Sequence, residues 1–67
     1  MNLREQVGDA AGQVWRVLDQ HGPQTVAQLK RRLNGSAELV SFAVGWLARE
    51  DKLDISLEKK AFRLKLR

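Results

Sequence analysis

At Lys52 the hydrophobic period of the chain changes from that of a helix to that of a strand. Before it, Leu39, Val40, Ala43, Val44, Trp46 and Leu47 recur at spacings of three and four, which predicts a helix with one wide buried face. After it, Leu53, Ile55 and Leu57 alternate with Asp54, Ser56 and Glu58, and Phe62, Leu64 and Leu66 alternate with Arg63, Lys65 and Arg67. That alternation predicts two strands, each with one apolar face. Burying both patterns at once sets a helix over about 37–50 across a hairpin over about 53–66. Ser36 is placed to cap the helix, and Asn34-Gly35 just before it is suited to end a preceding helix and turn the chain.

The hairpin also sets its own register. With Lys59-Lys60 at the tip, Leu57 faces Phe62, Ile55 faces Leu64 and Leu53 faces Leu66. This apolar set is expected to lie against the third helix. The same register puts Asp54 opposite Lys65 on the outer face, a favourable cross-strand pair. Lysines are poor residues for a type I′ turn, so a two-residue tip and a four-residue loop over 58–61 both remain compatible.

Upstream, Val7, Ala10, Ala11, Val14, Val17 and Leu18 form the apolar face of a helix over about 3–20, with Trp15 at its edge. Gly8 and Gly12 each cost a helix roughly 1 kcal/mol relative to alanine, which predicts the close approach of another backbone. Their GxxxG spacing does not mark a membrane dimer, because the helix is amphipathic and interrupted by charge. His21-Gly22-Pro23 then closes the helix with a glycine suited to C′ and a proline that cannot continue it. Thr25 and Gln28 match a capping box. They open a second helix over about 26–33 that buries Val26, Leu29 and Leu33, while Arg31 points away.

What the chain lacks limits its chemistry. With 67 residues and no cysteine, it has neither disulfides nor thiolate zinc sites to brace a single small domain. No apolar run reaches the roughly 18 residues of a membrane span and no signal peptide opens the chain, so a cytoplasmic, non-membrane protein is expected. His21 is the sole histidine; it suits the negative end of its helix and has no second metal ligand and no nucleophile to serve. No catalytic residue, metal, cofactor or small-molecule substrate is therefore expected.

Ala11-Gly12-Gln13-Val14-Trp15, the run Gln24–Leu29 and the run Val44-Gly45-Trp46-Leu47-Ala48-Arg49-Glu50-Asp51-Lys52-Leu53 resemble the winged helix-turn-helix superfamily. More narrowly, they resemble its small stand-alone members in bacteria and archaea whose function is uncharacterised. With the hairpin included, the resemblance covers nearly the whole chain. It implies an α+β fold of three helices and a β-hairpin wing, with a short third strand at Gln24-Thr25. It brings no known ligand.

Charge placement then separates two classes of function. Residues 1–51 hold six basic and six acidic side chains, whereas residues 52–67 hold six basic ones against Asp54 and Glu58. The whole excess of +4 therefore lies in the hairpin, where it attracts phosphates or simply solvates the protein. A nucleic-acid module, with double-stranded DNA as partner, would use Arg31, Lys59, Lys60, Arg63 and Lys65 on phosphates and Ser41 and Arg49 in the groove. The outer face of the third helix, with Glu38, Ser41, Gly45, Ala48 and Arg49, is a weak reading surface, since only Arg49 can bind guanine bidentately. Alternatively, Phe42, Gly45 and Trp46 form a surface for a protein partner or a second copy of the chain. The plainer expectation for Phe42 and Trp46 is that they finish the core of a small domain.

Overall fold

The computed structural model describes residues 2–33 and 36–67. The Asn34-Gly35 turn lies outside the described residues. Three helices, α1 (Leu3–His21), α2 (Val26–Arg32) and α3 (Ala37–Arg49), are combined with three strands, β1 (Gln24–Thr25), β2 (Leu53–Glu58) and β3 (Ala61–Leu66). The sheet is antiparallel in the order β1-β3-β2. This is the α+β architecture of a winged helix. No helix among the described residues is long and apolar enough to cross a membrane.

Each helix starts where a side chain satisfies its orphan N–H groups. Asn2 Oδ1 accepts from the Arg4 N–H at 2.9 Å, and Ser36 Oγ from the Leu39 N–H at 3.0 Å. At α2 the capping box is complete: Gln28 N–H donates to Thr25 Oγ1 at 3.1 Å and Thr25 N–H to Gln28 Oε1 at 2.8 Å. Gly22 ends α1 with φ at 77°, its N–H bonded to the Leu18 carbonyl, a conformation that favours glycine.

The buried face of α3, Val40, Ala43, Val44 and Leu47, meets Ala11, Val14 and Leu18 of α1, and Leu29, Leu53 and Leu64 close the core. Gly8 and Gly12 do not admit a neighbouring backbone. A Cβ at Gly8 would meet nothing within 4 Å, and one at Gly12 only the Arg16 guanidinium. The expected close approach is absent because α3 packs on the face carrying Ala11, Val14 and Leu18, leaving both glycines on an open groove beside Trp15 and Trp46.

A Schellman motif turns α3 into β2. Asp51 occupies the left-handed C′ position with φ at 59°, its N–H bonds the Ala48 carbonyl, and the Lys52 N–H bonds the Leu47 carbonyl. The end of β3 returns to this corner. Arg67 N–H donates to the Lys52 carbonyl, and its guanidinium reaches Asp51 at 3.2 Å and Asp54 at 3.4 Å. Asp54 does face Lys65 in the register, but its ion pair runs to Arg67, because that longer side chain is also held by Asp51.

The register is the expected one, with Leu53 against Leu66, Ile55 against Leu64 and Leu57 against Phe62. The expected burial of that whole face is not found. Leu53 and Leu64 are buried and Leu66 half-buried, whereas Ile55, Leu57 and Phe62 remain 46%, 64% and 55% exposed. The face does not lie against α3 alone: β2 meets α3, whereas β3 meets α1 and α2. Six residues of strand span about 20 Å, and only the half of the hairpin away from the tip enters the core. We predict that Leu64→Ala lowers stability by about 2–5 kcal/mol, while Phe62→Ala costs less than about 1 kcal/mol. Denaturant midpoints of the two variants check this, and equal losses would contradict it.

Candidate nucleic-acid interface

The wing tip is a two-residue turn in which Lys59 and Lys60 both adopt left-handed backbone, with φ of 49° and 67°. Two positive φ values in a two-residue hairpin define a type I′ turn, which asparagine and glycine fill without strain. Lysine there carries on the order of 1 kcal/mol of strain per residue. Of the two tips compatible with the sequence, the strained one is found. The ladder continues to the Glu58–Ala61 pair and leaves room for nothing longer.

The strands bring further basic groups beside this tip. Arg63 lies on the outer face of β3 between Thr25 of β1 and Ser56 of β2, and Lys65 follows two residues along the same face. Lys59, Arg63 and Thr25 line one open groove together with Glu58 and Ala61. The Glu58 carboxylate accepts from Ser56 Oγ at 3.1 Å. Among the described residues the ion pairs on this half of the chain use Lys52 with Glu50 and Arg67 with Asp51 and Asp54. Lys59, Lys60, Arg63 and Lys65 take no part in them. Two of the six basic groups of residues 52–67 are thus paired at the root of the hairpin, and four lie outside these ion pairs, Lys59 and Lys60 at the tip and Arg63 and Lys65 along the outer face of β3.

The helices contribute less than the wing. Arg31 is exposed on α2, two residues past the buried Leu29 and so on the outer side of that helix. Its neighbour Lys30, which the charge pattern alone did not single out, borders a cleft with Val26, Ser41, Val44, Ile55 and Phe62. Its spacing of one turn from Val26 was the available signal. Arg32 is held back, its Nε donating to the buried Gln24 side chain at 3.3 Å. Ser41 therefore faces the wing across an apolar cleft. Arg49, eight residues later, lies about 80° further round α3, so the two do not form one reading surface. Ala48, expected on the outer face, is half-buried.

Beside Glu38, Ser41 and Arg49, the outer face of α3 presents Phe42, 60% exposed, and Trp46, 38% exposed. Neither completes the core. Gly45 between them has no atom within 4 Å of where a Cβ would stand. No cluster of metal-binding side chains occurs among the described residues.

The family model described as "Winged helix-turn-helix domain (DUF2582)" matches residues 1–66. An uncharacterized protein of Methanocaldococcus jannaschii is 31% identical, over 91% of this chain and 90% of its own length. The match runs almost end to end, and it carries a fold that typically serves regulation rather than catalysis.

The tip yields a prediction that separates stability from charge. Replacing Lys59 by Asn and Lys60 by Gly is expected to raise stability by about 1–2 kcal/mol by relieving two left-handed lysines. Thermal unfolding measures it; a lowered melting temperature would mean that the turn is not of this type.

Proposed function

Because the chain belongs to the winged helix-turn-helix family DUF2582, we propose that it is a nucleic-acid-binding, regulator-like module that holds duplex DNA chiefly by its wing. The observation that carries this reading is the segregation of charge: Lys59, Lys60, Arg63 and Lys65 are exposed and have no ion-pair partner among the described residues. Charge gathered at one end of a small protein repels itself, and phosphates relieve that repulsion. Strained residues that persist at a surface tip favour a role for those side chains over a role in folding.

In this reading Arg63 and Lys65 run along the phosphate backbone while the lysine tip reaches the adjacent groove edge. Arg31 adds a contact from the first helix of the helix-turn-helix, which crosses the backbone in such folds. Ser41 and Arg49 are the groups α3 offers a groove, and Glu38 in its first turn opposes phosphate. Recognition is therefore mainly electrostatic and weakly selective among sequences.

Four or five phosphates neutralised should give a log–log slope of affinity against salt of about −3.6 to −4.5. Anisotropy titrations with unrelated duplexes, starting near about 50 mM salt, measure it. Lys59→Ala with Lys60→Ala should flatten the slope by up to about two units and weaken every duplex alike. Arg49→Ala should change affinity little on any of them. Absence of binding at the lowest salt, or binding indifferent to both lysines, overturns the proposal.

A further inference from the structure

Gly8 and Gly12 are half-buried inside α1, where glycine weakens a helix, and no neighbour fills the space that their missing side chains leave. One turn further along the same face stand Trp15 and Arg16. On α3, Trp46 and Glu50 are likewise one turn apart, and Lys52 follows where the chain leaves that helix. Together these residues line an open groove of about 490 Å³, within the range of roughly 300–1,000 Å³ usual for small-ligand sites. Two glycines alone do not make a site. Here they share the groove with both tryptophans of the chain, and both indoles are exposed.

Arg16 sets the sign of the groove. Lys52 and Glu50 offset each other at 3.7 Å. Arg16 takes part in no ion pair among the described residues, and its Nε donates to the Gly12 carbonyl at 3.4 Å, which holds the guanidinium beside the bare stretch of backbone. We propose that the groove binds a small planar aromatic anion, its ring stacked on the indoles over Gly8 and Gly12 and its carboxylate or phosphate held by Arg16. A guanidinium fork matches either oxyanion. Indole faces favour a flat ring, and the missing Cβ atoms let that ring come close to the helix. An aliphatic ligand would leave the indoles without a role, and a cation would meet Arg16.

The groove shares no residue with the one at the wing tip, so the inference stands whether or not the wing binds DNA. Its occupant is a ligand and not a substrate, since neither hydroxyl nor thiol lines the groove. A larger residue at position 8 would improve α1 as a helix and would fill the floor of the groove. Ligand and helix stability therefore make opposite demands on that position.

Both tryptophans line the groove, so their indole N–H resonances in nitrogen–proton correlation spectra report on it directly. Naphthoate is the probe and naphthol its uncharged control; adenosine monophosphate, with adenosine as control, tests nucleotides as the source of the same chemistry. The expected result is a saturable shift of both resonances with naphthoate and about tenfold weaker binding of naphthol. A response to adenosine monophosphate beyond that to adenosine extends the ligand class to nucleotides, and its absence restricts the class to aromatic carboxylates. Arg16→Gln, at an exposed position, should bring naphthoate down to the level of naphthol. Gly8→Leu should keep or raise the melting temperature, because its Cβ meets no atom, and should weaken naphthoate about tenfold or more. No shift with either anion, equal binding of naphthoate and naphthol, or binding unchanged in either variant overturns the proposal.

Discussion

Among the described residues, ten apolar side chains form the buried core, and the rest of the structure depends on how they are shared out. Seven come from α1 and α3, so the helix pair is the body of the domain. α2 contributes only Leu29 and the hairpin only Leu53 and Leu64. A small chain cannot bury much more than this. Other large apolar residues, among them Phe42, Ile55, Leu57 and Phe62, stay in part on the surface as a direct consequence. Leu53 and Leu64 anchor the hairpin in the core, and its root is also tied by polar contacts, at the corner where Lys52 and Asp51 meet Leu47, Ala48 and Arg67.

Most of the fold was legible because it rests on local rules. The capping residues Thr25 and Ser36, the glycine at 22 and the two hydrophobic periods each point to one structure whatever the rest of the chain does. The register of the hairpin followed from alternation alone. What escaped was whatever depends on how far one element extends over another. Alternation says that Leu57 and Phe62 share a face with Leu64, but only the reach of the helices under the sheet decides that Leu64 is buried and the other two are not. The glycines of α1 failed for a similar reason: helical spacing fixes their side, and packing fixes whether anything occupies it. In the candidate site, the basic cluster of the wing was visible as composition. Which members would be neutralised was not, since Arg67 meets Asp51 across sixteen residues.

The division of labour between helix and wing departs from what a helix-turn-helix leads one to expect. The second helix of that motif normally offers polar side chains to a groove. Here it exposes Phe42, Gly45 and Trp46 beside Glu38, Ser41 and Arg49, while cationic groups collect on the hairpin. Fold alone does not assign function; α3 exposes Phe42 and Trp46, and the wing exposes four cations outside the ion pairs of the described residues. The two surfaces lie on separate elements, so each is open to change without loss of the other.

The middle strand of the sheet is β3, the last of the three in chain order. Leu64 pairs with Gln24 on one side and Ile55 on the other, and it is fully buried. On a ribosome, therefore, α1, α2 and α3 emerge with nothing to seat β1 or β2 against. The sheet, and with it the last of the core, forms only once residue 64 has cleared the exit tunnel. Until then the helices expose the apolar surface that β3 will cover, which is the interval in which a nascent chain is most open to chaperones and proteases.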